Sequence, residues 1–207
     1  IFAEKVTVNG EIAILGRRVT PGVDEIAVNG SVLSTLPDAI TYLLNKPAGT
    51  ITTASDPQGR PTVIELVPSE PRVFPVGRLD YDTEGLLLLT NDGTLAHRLT
   101  HPSFGVEKEY LAHVEGEPSR SALRQLREGI ELEDGMTAPA KVSAVTPELL
   151  KIVIHEGRNR QVKRMCEAVG HPVQRLVRTR IGPLADPQLE PGAFRVVTPD
   201  EMLELQR

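Results

Sequence analysis

Apolar segments of strand length recur along this chain, separated by turn signals and broken by a few helical stretches. Residues 42–46 read as a buried strand ended by Pro47. Residues 72–76 and the leucine run 86–90 predict two more, with Asn91-Asp92-Gly93 as a turn. Weak alternation over 107–114 predicts another strand, and 137–145 and 149–155 a pair joined at Thr146-Pro147-Glu148. A last strand covers 173–181, with arginines alternating at 178 and 180.

Helical signals are fewer. Pro61 is placed to open a short helix over 63–66, and 94–99 predicts another. Over 119–127, Leu123 and Leu126 share one face and Gly129 marks the stop. The clearest helix is 159–169, where Val162, Met165, Cys166 and Val169 form an apolar stripe and Gly170 ends it. Cys166 on that stripe reads as a small packed hydrophobe. Thr198-Pro199-Asp200-Glu201 is a capping box opening a C-terminal helix. Strands outnumber helices and do not follow strict βαβ order, so the expected class is α+β around a mixed, mostly antiparallel sheet.

The first 37 residues differ from the rest. Val6-Thr7-Val8-Asn9-Gly10 and Ile26-Ala27-Val28-Asn29-Gly30 are two strand-plus-turn units, punctuated between by Gly16 and Pro21-Gly22. Pro37-Asp38 marks the expected linker, giving a small domain over 1–37 and a larger one over 38–207. No signal peptide is visible, and a start at Ile1 implies residues upstream. No apolar run approaches the roughly 20 residues of a membrane helix.

Composition narrows the classes further. With 207 residues, 40% hydrophobic, the chain can bury a sizeable core. A lone cysteine excludes an internal disulfide framework and a multi-cysteine zinc site, which points to a reducing, cytoplasmic setting. The net charge is −5, yet residues 151–182 hold eight Lys/Arg against two acids. That asymmetry predicts a phosphate-attracting face on an acidic body, or else a solvated basic surface.

The chemistry concentrates between the strands at 72–76 and 86–90. Asp80, Asp82 and Glu84 sit there, in a loop clamped by rigid neighbours. Such a loop presents a catalytic carboxylate well, but the same residues also suit an ordinary loop. Asp82, two positions on from Asp80, would repel it unless a cation intervenes.

Three ordered blocks carry a resemblance. The run from Pro75 to Gly93, with Gly77-Arg78-Leu79-Asp80 at its heart, closely resembles the signature of RsuA/RluB-type ribosomal RNA pseudouridine synthases. Lys108-Glu109-Tyr110-Leu111-Ala112 resembles that family's tyrosine motif, and Glu156-Gly157-Arg158-Asn159-Arg160-Gln161-Val162-Lys163-Arg164-Met165 its third motif. Matching segments run from about Val6 to near the C-terminus.

The resemblance implies a pseudouridine synthase fold preceded by the β part of an S4-like RNA-binding module. It implies isomerisation of a uridine in ribosomal RNA after base flipping, with no cofactor and no metal. Asp80 matches the catalytic aspartate, attacking sugar or base or removing a sugar proton. Tyr110 matches the aromatic that stacks on the uracil, and Arg78 the arginine that fills the space left by the flipped base. A salt bridge from Arg78 to Asp82 or Glu84 is the competing reading. Lys163 matches the cation set against the catalytic aspartate, with neighbouring Arg164 as the alternative. Arg158, Arg160, Arg164, Arg178 and Arg180 are the expected RNA contacts. The Arg158-Asn159-Arg160-Gln161 spelling resembles enzymes acting on large-subunit (23S) RNA more than the small-subunit (16S) enzyme. A monomer is expected.

Competing classes fit less well. Sugar clefts usually offer several aromatic platforms, whereas this chain has 3% aromatics and no tryptophan. A Mg²⁺-dependent phosphoryl transferase would use the acids as ligands, but no Walker-type loop occurs. A non-enzymatic RNA-binding protein, with the acidic loop purely structural, is the chief alternative.

Overall fold

A computed structural model describes residues 1–20, 22–33 and 39–206. The chain divides into two compact units, Ile1–Ala39 and Ile40–Arg207. The expected linker at Pro37-Asp38, and Pro21 of the Pro21-Gly22 pair, lie outside the described residues.

The first unit is a four-stranded antiparallel sheet of β1 (Val6–Val8), β2 (Glu11–Ile12), β3 (Ile26–Val28) and β4 (Ser31–Val32), in the order β2-β1-β3-β4. Its two hairpins turn on Asn9-Gly10 and Asn29-Gly30. All four residues have positive φ, at 52° and 81° in the first pair and 51° and 77° in the second. A tight turn matching the twist of its strands needs that conformation, which Asn and Gly adopt most readily.

The second unit is built on one nine-stranded sheet. It contains β5 (Thr41–Lys46), β6 (Phe74–Pro75), β7 (Thr83–Thr90) and β8 (Lys108–Val114). A small separate hairpin of β9 (Glu131–Leu132) and β10 (Gly135–Met136) follows. The sheet then continues with β11 (Lys141–Thr146), β12 (Leu149–Ile154), β13 (Val173–Ile181), β14 (Leu184–Ala185) and β15 (Phe194–Val196). The spatial order is β11-β12-β8-β13-β7-β5-β15, with β14 beside β13 and β6 beside β7. Among these pairings only β7 with β13 is parallel, so the sheet is mixed and mostly antiparallel.

The leucine run explains why β7 lies at the centre. Successive side chains point to opposite faces, and both faces are covered. Leu86 and Leu88 join Leu43 in one cluster, while Leu87 and Leu89 join Tyr42 and Leu44 in the other. Helices α1 (Gly93–Thr100) and α4 (Pro199–Leu205) supply Leu95, Leu99 and Leu205 to the first cluster. Helices α2 (Arg120–Glu128) and α3 (Gln161–Ala168) supply Leu126, Val162, Met165 and Cys166 to the second. Burial pushes the Cys166 thiol up to about 12, so it packs as a hydrophobe at neutral pH.

Several boundaries differ from the pattern-based expectation. Within 72–76 the strand shortens to Phe74–Pro75, where Pro75 brings no N–H to the ladder, and Val76 N adds one bond to Leu88 O at 2.8 Å. The strand expected from Thr137 begins at Lys141; buried Thr137 instead accepts from Ile130 N through Oγ1 and donates its own N–H to Ile130 O. Asp92 does more than turn the chain, accepting from Thr94 N and Leu95 N as the N-cap of α1. Helix α3 starts at Gln161 because Arg160 holds a left-handed φ of 47°.

Gly85 sets how close β7 and β13 approach. It lies opposite Arg178 with φ 104°, and a Cβ there would fall 2.2 Å from Arg178 O and 2.6 Å from Arg178 N. No other residue fits that spacing.

Candidate active site

The loop between β6 and β7 is held by main-chain bonds from three directions. Thr52 Oγ1 donates to Leu79 O at 2.8 Å and accepts from Leu79 N at 3.3 Å. Gly49 N donates to Tyr81 O at 2.8 Å, and Thr83 N closes a turn on Asp80 O at 3.1 Å. The turn ends early, so Glu84 belongs to β7 and not to the loop.

The third support is Lys46, whose side chain is wholly buried at the end of β5. Its ammonium donates to Thr83 O at 2.8 Å, Pro47 O at 3.0 Å and Tyr81 O at 3.4 Å. Burial lowers its pKa to about 8, although the carboxylates of Asp82, Glu84 and Asp80 favour its charge. No motif singled this residue out. Its one sequence signal is a lysine at the end of an otherwise buried strand, just before a proline.

The three carboxylates part company here. Asp82 Oδ1 lies 2.5 Å from Lys163 Nζ, and that hydrogen bond holds its carboxyl below the usual range. Glu84 takes a two-pronged pair from Arg175, at 2.8 Å and 2.9 Å, and is likewise lowered. Asp80, half-buried, has no ion-pair partner among the described residues and lines a cavity of about 390 Å³. Arg78 reaches neither Asp82 nor Glu84; it lines the same cavity, and with Asp80 and Arg160 also borders a neighbouring hollow of about 400 Å³.

Tyr110 stands on the cavity wall at 8% exposure, from the middle of β8. Among the described residues, five cations line this space, Arg78, Lys108, Arg158, Arg160 and Arg178, against the single carboxylate of Asp80. In a chain of net charge −5 this is a local reversal of sign. Among the described residues, three buried side-chain polar atoms lack a hydrogen-bond partner. Two of them, Thr83 Oγ1 and Arg178 Nη2, belong to residues on this cavity wall. Native proteins rarely leave such atoms unsatisfied, and a bound ligand is one reason they do.

The cations of the third motif are disposed unlike the expectation in several places. Lys163 meets Asp82 instead of Asp80, because the turn at residues 80–83 swings the second carboxylate toward α3. Arg164, the alternative for that role, forks onto Asp134 at 2.9 Å and 3.0 Å. Arg158 donates to Gly135 O at 2.7 Å, to Met136 O and to Asp134 O, tying the β9–β10 hairpin to the motif. Arg180 is taken by Gly182 O and Glu107. Arg178 is buried, with Nε on Leu86 O at 2.7 Å. Arg158, Arg164 and Arg180 thus have internal partners that an RNA phosphate would have to displace, while Arg178 keeps its terminal nitrogens unspent among the described residues. Arg160 makes no side-chain hydrogen bond among the described residues, and it faces Asp82 only through its field. Among the described residues, no His, Cys, Asp and Glu side chains cluster to hold a metal ion.

Residues 40–168 match the family model for RNA pseudouridylate synthase. Over 210 residues the chain is 45% identical to the ribosomal large subunit pseudouridine synthase B of Bacillus subtilis, covering 98% of this chain and 85% of that protein. This chain belongs to the RNA pseudouridylate synthase family. The synthase of the same name from Salmonella typhi is 43% identical, over 91% of this chain and 68% of its own length. A crystal structure of a pseudouridylate synthase superposes with a TM-score of 0.79 at 34% identity, covering 98% of this chain and 89% of the other. The mixed sheet is therefore that of a pseudouridylate synthase, and the chain is an RNA pseudouridine synthase.

Proposed function

We propose that this synthase isomerises a uridine of large-subunit ribosomal RNA, with Asp80 as its reactive carboxylate. The observation that carries this reading is the cavity itself: the one carboxylate of the loop left unpaired, Asp80, shares its wall with Tyr110 amid five cations. The name of the Bacillus subtilis relative supports the choice of RNA.

The target base sits inside a stacked RNA, so it is first extruded, and Arg78 takes the space it leaves. Arg160 holds the backbone, while Tyr110 gives the uracil a face to lie on. Asp80, fixed by the clamped loop, then acts at the sugar or the base. The N1–C1′ bond breaks and C5 bonds to C1′. The C5 proton is lost and N1 gains one, so the sum is an isomerisation without redox change. Lys163 reaches Asp80 indirectly: by pairing with Asp82 it removes the repulsion a second free carboxylate would exert. The small N-terminal sheet, on this reading the β part of an S4-like module, adds RNA contacts.

Carbodiimide mapping of ribosomal RNA from cells with and without the protein tests the reading. One large-subunit uridine should lose its pseudouridine signal when the protein is removed. A loss confined to small-subunit RNA would refute the choice of substrate.

A further inference from the structure

Two cations in the cavity have no ion-pair partner among the described residues. Lys108 and Tyr110 stand two apart on β8, on one face, and Arg178 lies opposite Tyr110 on β13. Lys108 is half-buried with no hydrogen bond or ion pair among the described residues. Burial first, and the neighbouring Arg178 charge second, lower its pKa, and no carboxylate opposes them. Arg178, 4% exposed, spends only Nε, on Leu86 O; among the described residues neither terminal nitrogen of its guanidinium has a partner, and Nη2 is fully enclosed. Thr83 lies diagonally from Arg178 on the same face, across the missing side chain of Gly85, and its buried hydroxyl is likewise unpartnered among the described residues. Burying two like charges side by side is costly unless something negative or strongly accepting arrives between them.

We propose that Lys108 and Arg178, with Thr83, form the base-reading end of the cavity and hold the carbonyl oxygens of the extruded uracil. This rests on the pseudouridine synthase reading and deepens it. Uracil presents O2 and O4 as acceptors with N3–H between them; two donors and a hydroxyl complement that edge. Cytosine presents an amino group in place of O4 and so sets a donor against the cation that O4 would meet, which rejects it. The same groups act during the reaction. When the N1–C1′ bond breaks, its electron pair stays on the base and spreads onto O2 and O4. Lys108 and Arg178 therefore bind the departing base more tightly than the intact nucleoside, which is the difference that accelerates a reaction.

The test uses the full chain and an in vitro transcript of the large-subunit RNA. For Lys108→Met, single-turnover pseudouridine formation should slow at least about tenfold, the effect of one lost charged hydrogen bond. RNA affinity and its salt dependence should stay within about twofold, because no phosphate contact is lost. Lys108→Arg should recover much of the rate. Should Lys108→Met fail to fold by circular dichroism, Lys108→Gln serves in its place. An unchanged rate would overturn the proposal. So would weaker RNA binding with a salt slope smaller by about one, which marks a phosphate ligand instead. Absence of pseudouridine with the wild-type chain would indict the underlying reading of the enzyme, not these residues.

Discussion

Lys163 Nζ and Asp82 Oδ1 meet at 2.5 Å across 81 residues of sequence, joining helix α3 to the loop that carries Asp80. Asp82 is more than half exposed, so water screens the pair and its worth to stability is about 0.2–1 kcal/mol. Lys163→Met should therefore lower the melting temperature little while slowing pseudouridine formation markedly. Urea unfolding and single-turnover kinetics on the same variant check both halves. The stability effect has a pH signature. Asp82 has a lowered folded pKa, so the pair's contribution is full above the unfolded value, about 3.9. It fades as pH falls through the lower folded one.

Lys46 gives a second pH-dependent signature, of opposite origin. Its folded pKa is about 8, against 10.5 in the unfolded chain. Below pH 8 both states are protonated and the full burial penalty is felt. Between the two values only the unfolded chain keeps the proton, so this group makes stability rise with pH. Unfolding free energies of wild type minus Lys46→Met, measured from pH 7 to 10, should show that rise. A flat difference would mean the ammonium is not buried as the geometry has it.

Gly85→Ala should be severely destabilising, by about 3 kcal/mol or more, since its Cβ meets Arg178 backbone that cannot yield without parting β7 from β13. Thermal melts give the readout. Gly93→Ala, where a Cβ meets nothing within 4 Å, is the control expected to stay near wild type.

Arg160 and Arg164 should separate cleanly as RNA contacts. Arg160 has no side-chain hydrogen bond among the described residues and lines both hollows, whereas Arg164 is forked onto Asp134. Arg160→Ala should weaken RNA binding and reduce the salt slope by about one, as loss of one phosphate contact does. Arg164→Ala should leave that slope unchanged and cost stability instead. Fluorescence anisotropy across a salt series distinguishes them.

What the chain discloses by itself depends on the range of each interaction. The strand at Val173–Ile181 and the capping box at Thr198 are local patterns, and the structure has them where periodicity and spacing put them. The positive φ values at Asn9-Gly10 and Asn29-Gly30 follow from residue type alone. Long-range register is what sequence leaves open. The pairing of Lys163 with Asp82 needs the turn geometry at Asp80–Thr83, and the grip of Arg158 on the Asp134–Met136 carbonyls needs a hairpin too short to betray itself. Lys46 is the sharpest case. Its role comes from two carbonyls brought in by a loop more than thirty residues away, plus the one beside it, and no pattern around Lys46 encodes them.

The most direct test of the central claim is the Asp80→Asn variant, assayed for pseudouridine formation and RNA affinity on one large-subunit transcript. Removing the one unpaired carboxylate of the cavity should abolish product while leaving affinity within about threefold, since that group binds no phosphate. Persistent product formation by Asp80→Asn would contradict the account and move the chemistry to another residue.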